Sequence, residues 1–107
     1  MRRENEFQPK LIKRLESEFP GCIILKNDPN YIQGIPDLSI FYKNRWAMLE
    51  CKRSANEPHQ PNQDDYVEQA NEMSFARFVY PENMEEVIDE LQQAFKSKRS
   101  TCISKRK

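Results

Sequence analysis

At 107 residues, with 37% hydrophobic and 32% charged side chains, the chain has room for one modest core and not for two. Its longest aliphatic run, Ile23-Ile24-Leu25, is far too short to span a bilayer, and no secretory leader opens the sequence, so a cytosolic compartment is expected. The three cysteines (Cys22, Cys51, Cys102) have no CxxC spacing, which speaks for reduced thiols and against a zinc site.

The formal net charge of zero hides a division. Residues 1–95 hold eleven basic and seventeen acidic side chains, whereas residues 96–107 hold six basic and no acidic ones. One domain over 1–95 followed by a basic tail over 96–107 is the expected organisation.

In chain order, Phe7, Leu11, Ile12, Leu15 and Phe19 recur at helical spacing and predict an amphipathic helix over about residues 4–19. Pro9 is tolerated only near its start, which makes Asn5 the expected cap and puts Glu6 in the first turn. Pro20-Gly21 ends the helix. Residues 22–26 read as a short buried strand, and residues 28–36 as a loop leading straight into Asp37; a loop so placed is positioned to contact substrate, and Tyr31 and Gln33 lie in it.

Residues 37–42 and 46–52 are rich in β-branched, aromatic and long apolar side chains and read as a hairpin. With Lys43-Asn44 as the loop, Tyr42 faces Arg45, and counting outward sets Asp37 opposite Glu50 with Cβ atoms about 4.5–5.5 Å apart. Alternation then gives Glu50 and Lys52 one face and Cys51 the other. A three-residue loop without a bulge would part the two acids. Carboxylates so close repel one another, and that implies a cation between them. Oxygen donors of this kind suit Mg²⁺, with Mn²⁺ as a substitute, and the backbone carbonyl of Cys51 is a further expected ligand. Lys52 is then placed to hold a scissile phosphate or to orient the attacking water. The plainer alternative is a hairpin whose end charges are merely solvated.

Residues 53–62, polar and broken by Pro58 and Pro61, form a loop. Asn62 caps a helix to about residue 73, with Tyr66, Val67, Ala70 and Met73 on its buried face. Residues 75–80 read as a strand, and Asn83 with Glu86 resembles a capping box. The last helix carries an apolar stripe of Met84, Val87, Ile88, Leu91 and Phe95. The order α-β-β-β-α-β-α, a meander extended by a strand after a crossover helix, predicts an α/β fold with a mixed sheet and flanking helices.

His59, the single histidine, sits between prolines in a polar loop and reads as a surface residue. Trp46 and Tyr42 flank the hairpin turn, as cross-strand packing or as platforms for an unpaired base. Arg53, Lys98 and Arg99 are the cations expected to touch a DNA backbone. For the basic tail, a disordered solubilising segment is the competing reading.

Glu6-Phe7-Gln8 with Leu11-Ile12, then Gly34-Ile35-Pro36-Asp37, Glu50-Cys51-Lys52 and Gln63, together resemble the VRR-NUC branch of the PD-(D/E)XK nucleases over residues 6–95. The resemblance implies a restriction-endonuclease-like α-β-β-β-α-β core with an extra C-terminal helix. It also implies Mg²⁺-dependent DNA endonuclease chemistry of the Holliday-junction-resolvase type, in recombination or repair. Stand-alone members of this size act as homodimers, many in phage or bacterial genomes, so a phage-encoded one would work in the host cytoplasm. Carried over by position, Asp37 and Glu50 become metal ligands, Lys52 the catalytic lysine, Glu6 the helix-one acid completing the metal site, and Gln63 a catalytic polar residue near the phosphate. A first-turn Glu is also favourable against the helix dipole, which is the structural reading of Glu6. Gln63 and Tyr66 stand three apart, not four as in RecB-type relatives, so Tyr66 reads as core. The rival functions are a nuclease without branch preference and a non-catalytic DNA-binding factor on the same fold.

Overall fold

Tyr42 and Arg45 face each other across a two-residue loop, and that single fact sets the parity of the whole hairpin. In the computed structural model, which describes residues 4–96, strand β2 (Leu38–Tyr42) pairs antiparallel with β3 (Arg45–Cys51) in the register Leu38↔Leu49, Ile40↔Ala47. Two-residue hairpin loops need a left-handed residue to match the strand twist. Here Lys43 supplies it, at φ 58°, and not the turn-forming Asn44. The Lys43 ammonium lies 5.3 Å from the centre of the Tyr42 ring, a cation–π contact that offsets part of the steric cost.

Strand β1 (Ile23–Lys26) adds antiparallel to β2, and β4 (Ala76–Val79) adds parallel to β3 after the crossover helix α2 (Gln63–Met73). The result is an open, mixed, four-stranded sheet in the order β1-β2-β3-β4. Helix α1 (Glu4–Glu18) and helix α3 (Met84–Lys96) cover one face. Leu11 and Leu15 from α1, Leu38, Ile40 and Leu49 from the sheet, and Leu91 from α3 form the centre of that core at 0% exposure. On the opposite face α2 packs Val67 and Ala70 against Ala76, Trp46, Met48 and Phe78. Among the described residues, no helix is long and apolar enough to cross a membrane.

Several local expectations are corrected. Residues 22–26 do not form a buried strand: β1 starts at Ile23, lies at the sheet edge, and leaves Ile23 60% and Leu25 49% exposed. A helix about 10 Å across covers roughly two strands spaced about 4.8 Å, and α2 sits over β3 and β4. Met73 is 71% exposed, because Gln63, Val67 and Ala70 already define the inward stripe of α2. Tyr66 is only half-buried and lies outside both apolar clusters. Asn5 falls inside α1 instead of capping it, and Pro9 is the sixth residue of that helix. Asn62 stands at the N-cap of α2 with φ 71°, but its side chain makes no capping bond. Asn83 forms no capping box with Glu86. Its side chain accepts from Tyr80 N (2.9 Å) and donates to the Phe78 carbonyl (3.1 Å), tying a short 3₁₀ turn, Pro81–Asn83, back to β4. Cys102, Lys98, Arg99 and the rest of the basic tail beyond Lys96 lie outside the described residues.

Candidate metal centre

Asp37 precedes β2 by one residue, and the Leu38↔Leu49 register continued one step sets it opposite Glu50. Its backbone carbonyl accepts from Asn27 N (2.7 Å) and its Oδ2 accepts from Cys51 N (3.0 Å), so main chain and side chain are both fixed. Gly34 makes the approach to Asp37 possible. Its φ is 92°, and a Cβ there would come within 2.5 Å of Asn62 Cβ and 2.8 Å of the Pro61 carbonyl. The turn before Asp37 is thereby seated against the segment that opens α2, whose first residue is Gln63.

Gln63 joins the charged pair of β3. Its Nε2 donates to Glu50 Oε2 (2.9 Å), while its Oε1 accepts from Lys52 Nζ (2.6 Å) and from Gln60 N (2.8 Å). Lys52 Nζ also donates to the Pro58 carbonyl (3.2 Å) and stands 4.0 Å from Glu50 Oε2. Glu50 is 3% exposed and Lys52 4%, charges that are rarely buried unless paired. Glu50 Oε1 is buried with no hydrogen-bond partner among the described residues. Burial first, and the neighbouring Asp37 second, push the Glu50 carboxyl up to about 8 against the pull of Lys52. Burial also raises Asp37, opposed by the Cys51 N–H and Lys52. The Cys51 thiol, driven up to about 12 by burial and by the Asp37 charge, is an inert packing group.

Asp37, Glu50, Cys51, Lys52, Arg53 and Gln63 line one hollow of about 290 Å³. Glu6 lines a neighbouring hollow, and α1 presents Gln8 to the acid pair in its place. Two positions on a helix differ by about 200° in direction, so Glu6 and Gln8 cannot share one cavity. The Gln8 side chain lies near the Cys51 thiol and partly offsets its upward shift. Glu57 is the other residue that sequence reading missed. It lines the same hollow, its charge raises both Asp37 and Glu50, and its Oε1 accepts from Arg53 N (2.5 Å). A lone Glu in an aperiodic loop gives no signal of that placement. His59 stays outside the site: its ring stacks on Phe78 at 4.1 Å and its Nδ1 lies 2.7 Å from Asp64 Oδ1, anchoring the loop to β4 and α2.

Among the described residues, no group of three His, Cys, Asp or Glu side chains is arranged to hold a metal ion. The donor set is therefore two carboxylates, one with a stranded buried oxygen. Such a set fits an ion that retains several waters, as Mg²⁺ does, better than an all-protein cage. A buried carboxyl next to a second acid either keeps its proton, as the rise to about 8 describes for the metal-free chain, or gives it up to a cation that completes the site. No protein-family model, curated protein or solved structure matches the chain. The reading of this site rests on its own residues.

Proposed function

We propose that the chain is a Mg²⁺-dependent DNA endonuclease with a restriction-endonuclease-like core, acting on branched DNA in the manner of a junction resolvase. The observation that carries this reading is the stranded, buried Glu50 oxygen beside Asp37, with Lys52 tethered on the same side. A bound Mg²⁺ supplies Lewis-acid activation of water and phosphate. Asp37 and Glu50 are the residues that would hold it, with the Cys51 backbone carbonyl as a further candidate ligand.

The chain's own residues do the rest. Lys52 Nζ spends two of its three protons on Gln63 and Pro58, leaving one to donate to a scissile phosphate oxygen. Gln63 fixes both the Lys52 ammonium and the Glu50 carboxylate, so the distance between proton donor and carboxylate is set before substrate arrives. Burial of both charges keeps their interaction with a phosphate strong by excluding water. Symmetric cutting of a four-way junction calls for a second copy of the chain, since a twofold substrate matches a twofold dimer.

The test uses labelled four-way, flap and linear DNA with Mg²⁺, Mn²⁺ or EDTA, for wild type and Asp37→Asn. Metal-dependent cutting of the junction, lost in Asp37→Asn, is the expected result. Equal cutting of linear duplex would remove the branch preference. Binding without cutting in either metal would leave only a DNA-binding role.

A further inference from the structure

Next to the metal centre lies a second hollow of about 320 Å³ lined by Glu6, Phe7, Lys10, Arg53, Pro81 and Met84. Phe7 and Arg53 line both cavities, so the two abut across these side chains. The walls of the second are apolar: an aromatic ring, a thioether and a pyrrolidine. Its charged groups are two cations and one acid. Lys10 is exposed and makes no hydrogen bond or ion pair with another described residue, and Arg53 is exposed at the boundary.

This mixture selects its occupant. A bare anion such as inorganic phosphate has no use for the apolar walls. An apolar ligand has no use for Lys10 and Arg53. A nucleotide satisfies both features. Its base lies against Phe7 and Met84, and its phosphate faces the cations.

We propose that this hollow is a nucleotide subsite that takes the unpaired nucleotide adjoining the scissile phosphate, reached across Arg53. The inference rests on the nuclease reading and sharpens it. A base can lie against Phe7 and Met84 in this hollow only out of its stack, so the preferred strand is one already unpaired beside the cut, as at a junction, flap or single strand. Continuous duplex must first extrude a base, which costs a few kcal/mol.

Two measurements separate this claim from the broader one. In EDTA, amide chemical shifts of the wild-type chain are followed while deoxycytidine monophosphate is added to millimolar concentration. Shifts at Phe7, Lys10 and Met84 are expected. Shifts confined to the Asp37–Glu50 hollow, or none, overturn the subsite whatever the nuclease activity. In Mg²⁺, Lys10→Glu and Met84→Ala are compared with wild type on a flap substrate and on the same substrate lacking the flanking nucleotide. Each variant is expected to raise KM for the full flap about tenfold with kcat retained, and to leave the shortened substrate unaffected. Equal KM changes on both substrates overturn the subsite. Absence of cutting by wild type in either metal overturns the nuclease reading instead, and the nucleotide titration still decides the subsite.

Discussion

A carboxylate at 3% exposure, with one oxygen lacking a partner and a second acid across the strand pair, is stabilised against ionisation in the metal-free chain. With its carboxyl near 8 when folded, against 4.5 ordinarily, Glu50 holds its proton longer in the native state than in the unfolded one. The associated stability is present at low pH and declines as pH rises through that interval. Glu50→Gln keeps the acceptor for Gln63 and removes the charge. We expect it to raise stability at pH 8 in EDTA by about 1–3 kcal/mol, read from urea unfolding, and to flatten the dependence on pH. Gln63→Ala unties Lys52 from Glu50. Cleavage should fall roughly 10–100-fold, as when a partner that orients metal ligands is lost, and a kcat/KM series on the junction substrate checks it. The placement of Asp37, Glu50 and Lys52 on one face was legible because strand alternation leaves only two choices of face. That Gln8 and not Glu6 lines the Asp37–Glu50 hollow was not, because helix phase cannot be read to within two residues from a short apolar pattern that starts near a proline.

Among the elements, the hairpin was the most legible: a two-residue loop and a period of two leave the pairing no freedom. The edge position of β1 was hidden, since the run Ile23-Ile24-Leu25 looks the same whether or not a helix lies over it. It is the reach of α2 across only two strands that decides. The left-handed turn at Gly34 was legible as a loop residue but not as a spacer between two distant segments. Gly34→Ala should cost at least about 1–2 kcal/mol from the backbone conformation alone, and more from the contact with Asn62 and Pro61. Because that turn carries Asp37, the same variant should weaken Mn²⁺ binding by calorimetry, whereas Lys43→Gly in the hairpin turn should not.

Taken whole, the molecule divides into a closed and an open side. The closed side, between the sheet and α1/α3, carries its stability. Leu49→Ala there should cost about 2–5 kcal/mol by urea unfolding, and Leu25→Thr on the open part of the other face less than about 0.5–1 kcal/mol. Asp37, Glu50 and Lys52 sit on that second face, at the end of the strands and beside α2, where rigid elements border solvent. The most direct measurement of the central claim is the thermal midpoint of the chain from about pH 5 to 8.5, in EDTA and in Mn²⁺, for wild type and Glu50→Gln. The wild-type midpoint is predicted to fall with rising pH in EDTA and to be restored by Mn²⁺ at the alkaline end, with Glu50→Gln much less sensitive to both. A wild-type midpoint that ignores Mn²⁺ at every pH, or a Glu50→Gln variant that responds to Mn²⁺ as strongly as wild type, would contradict a metal held between Asp37 and Glu50.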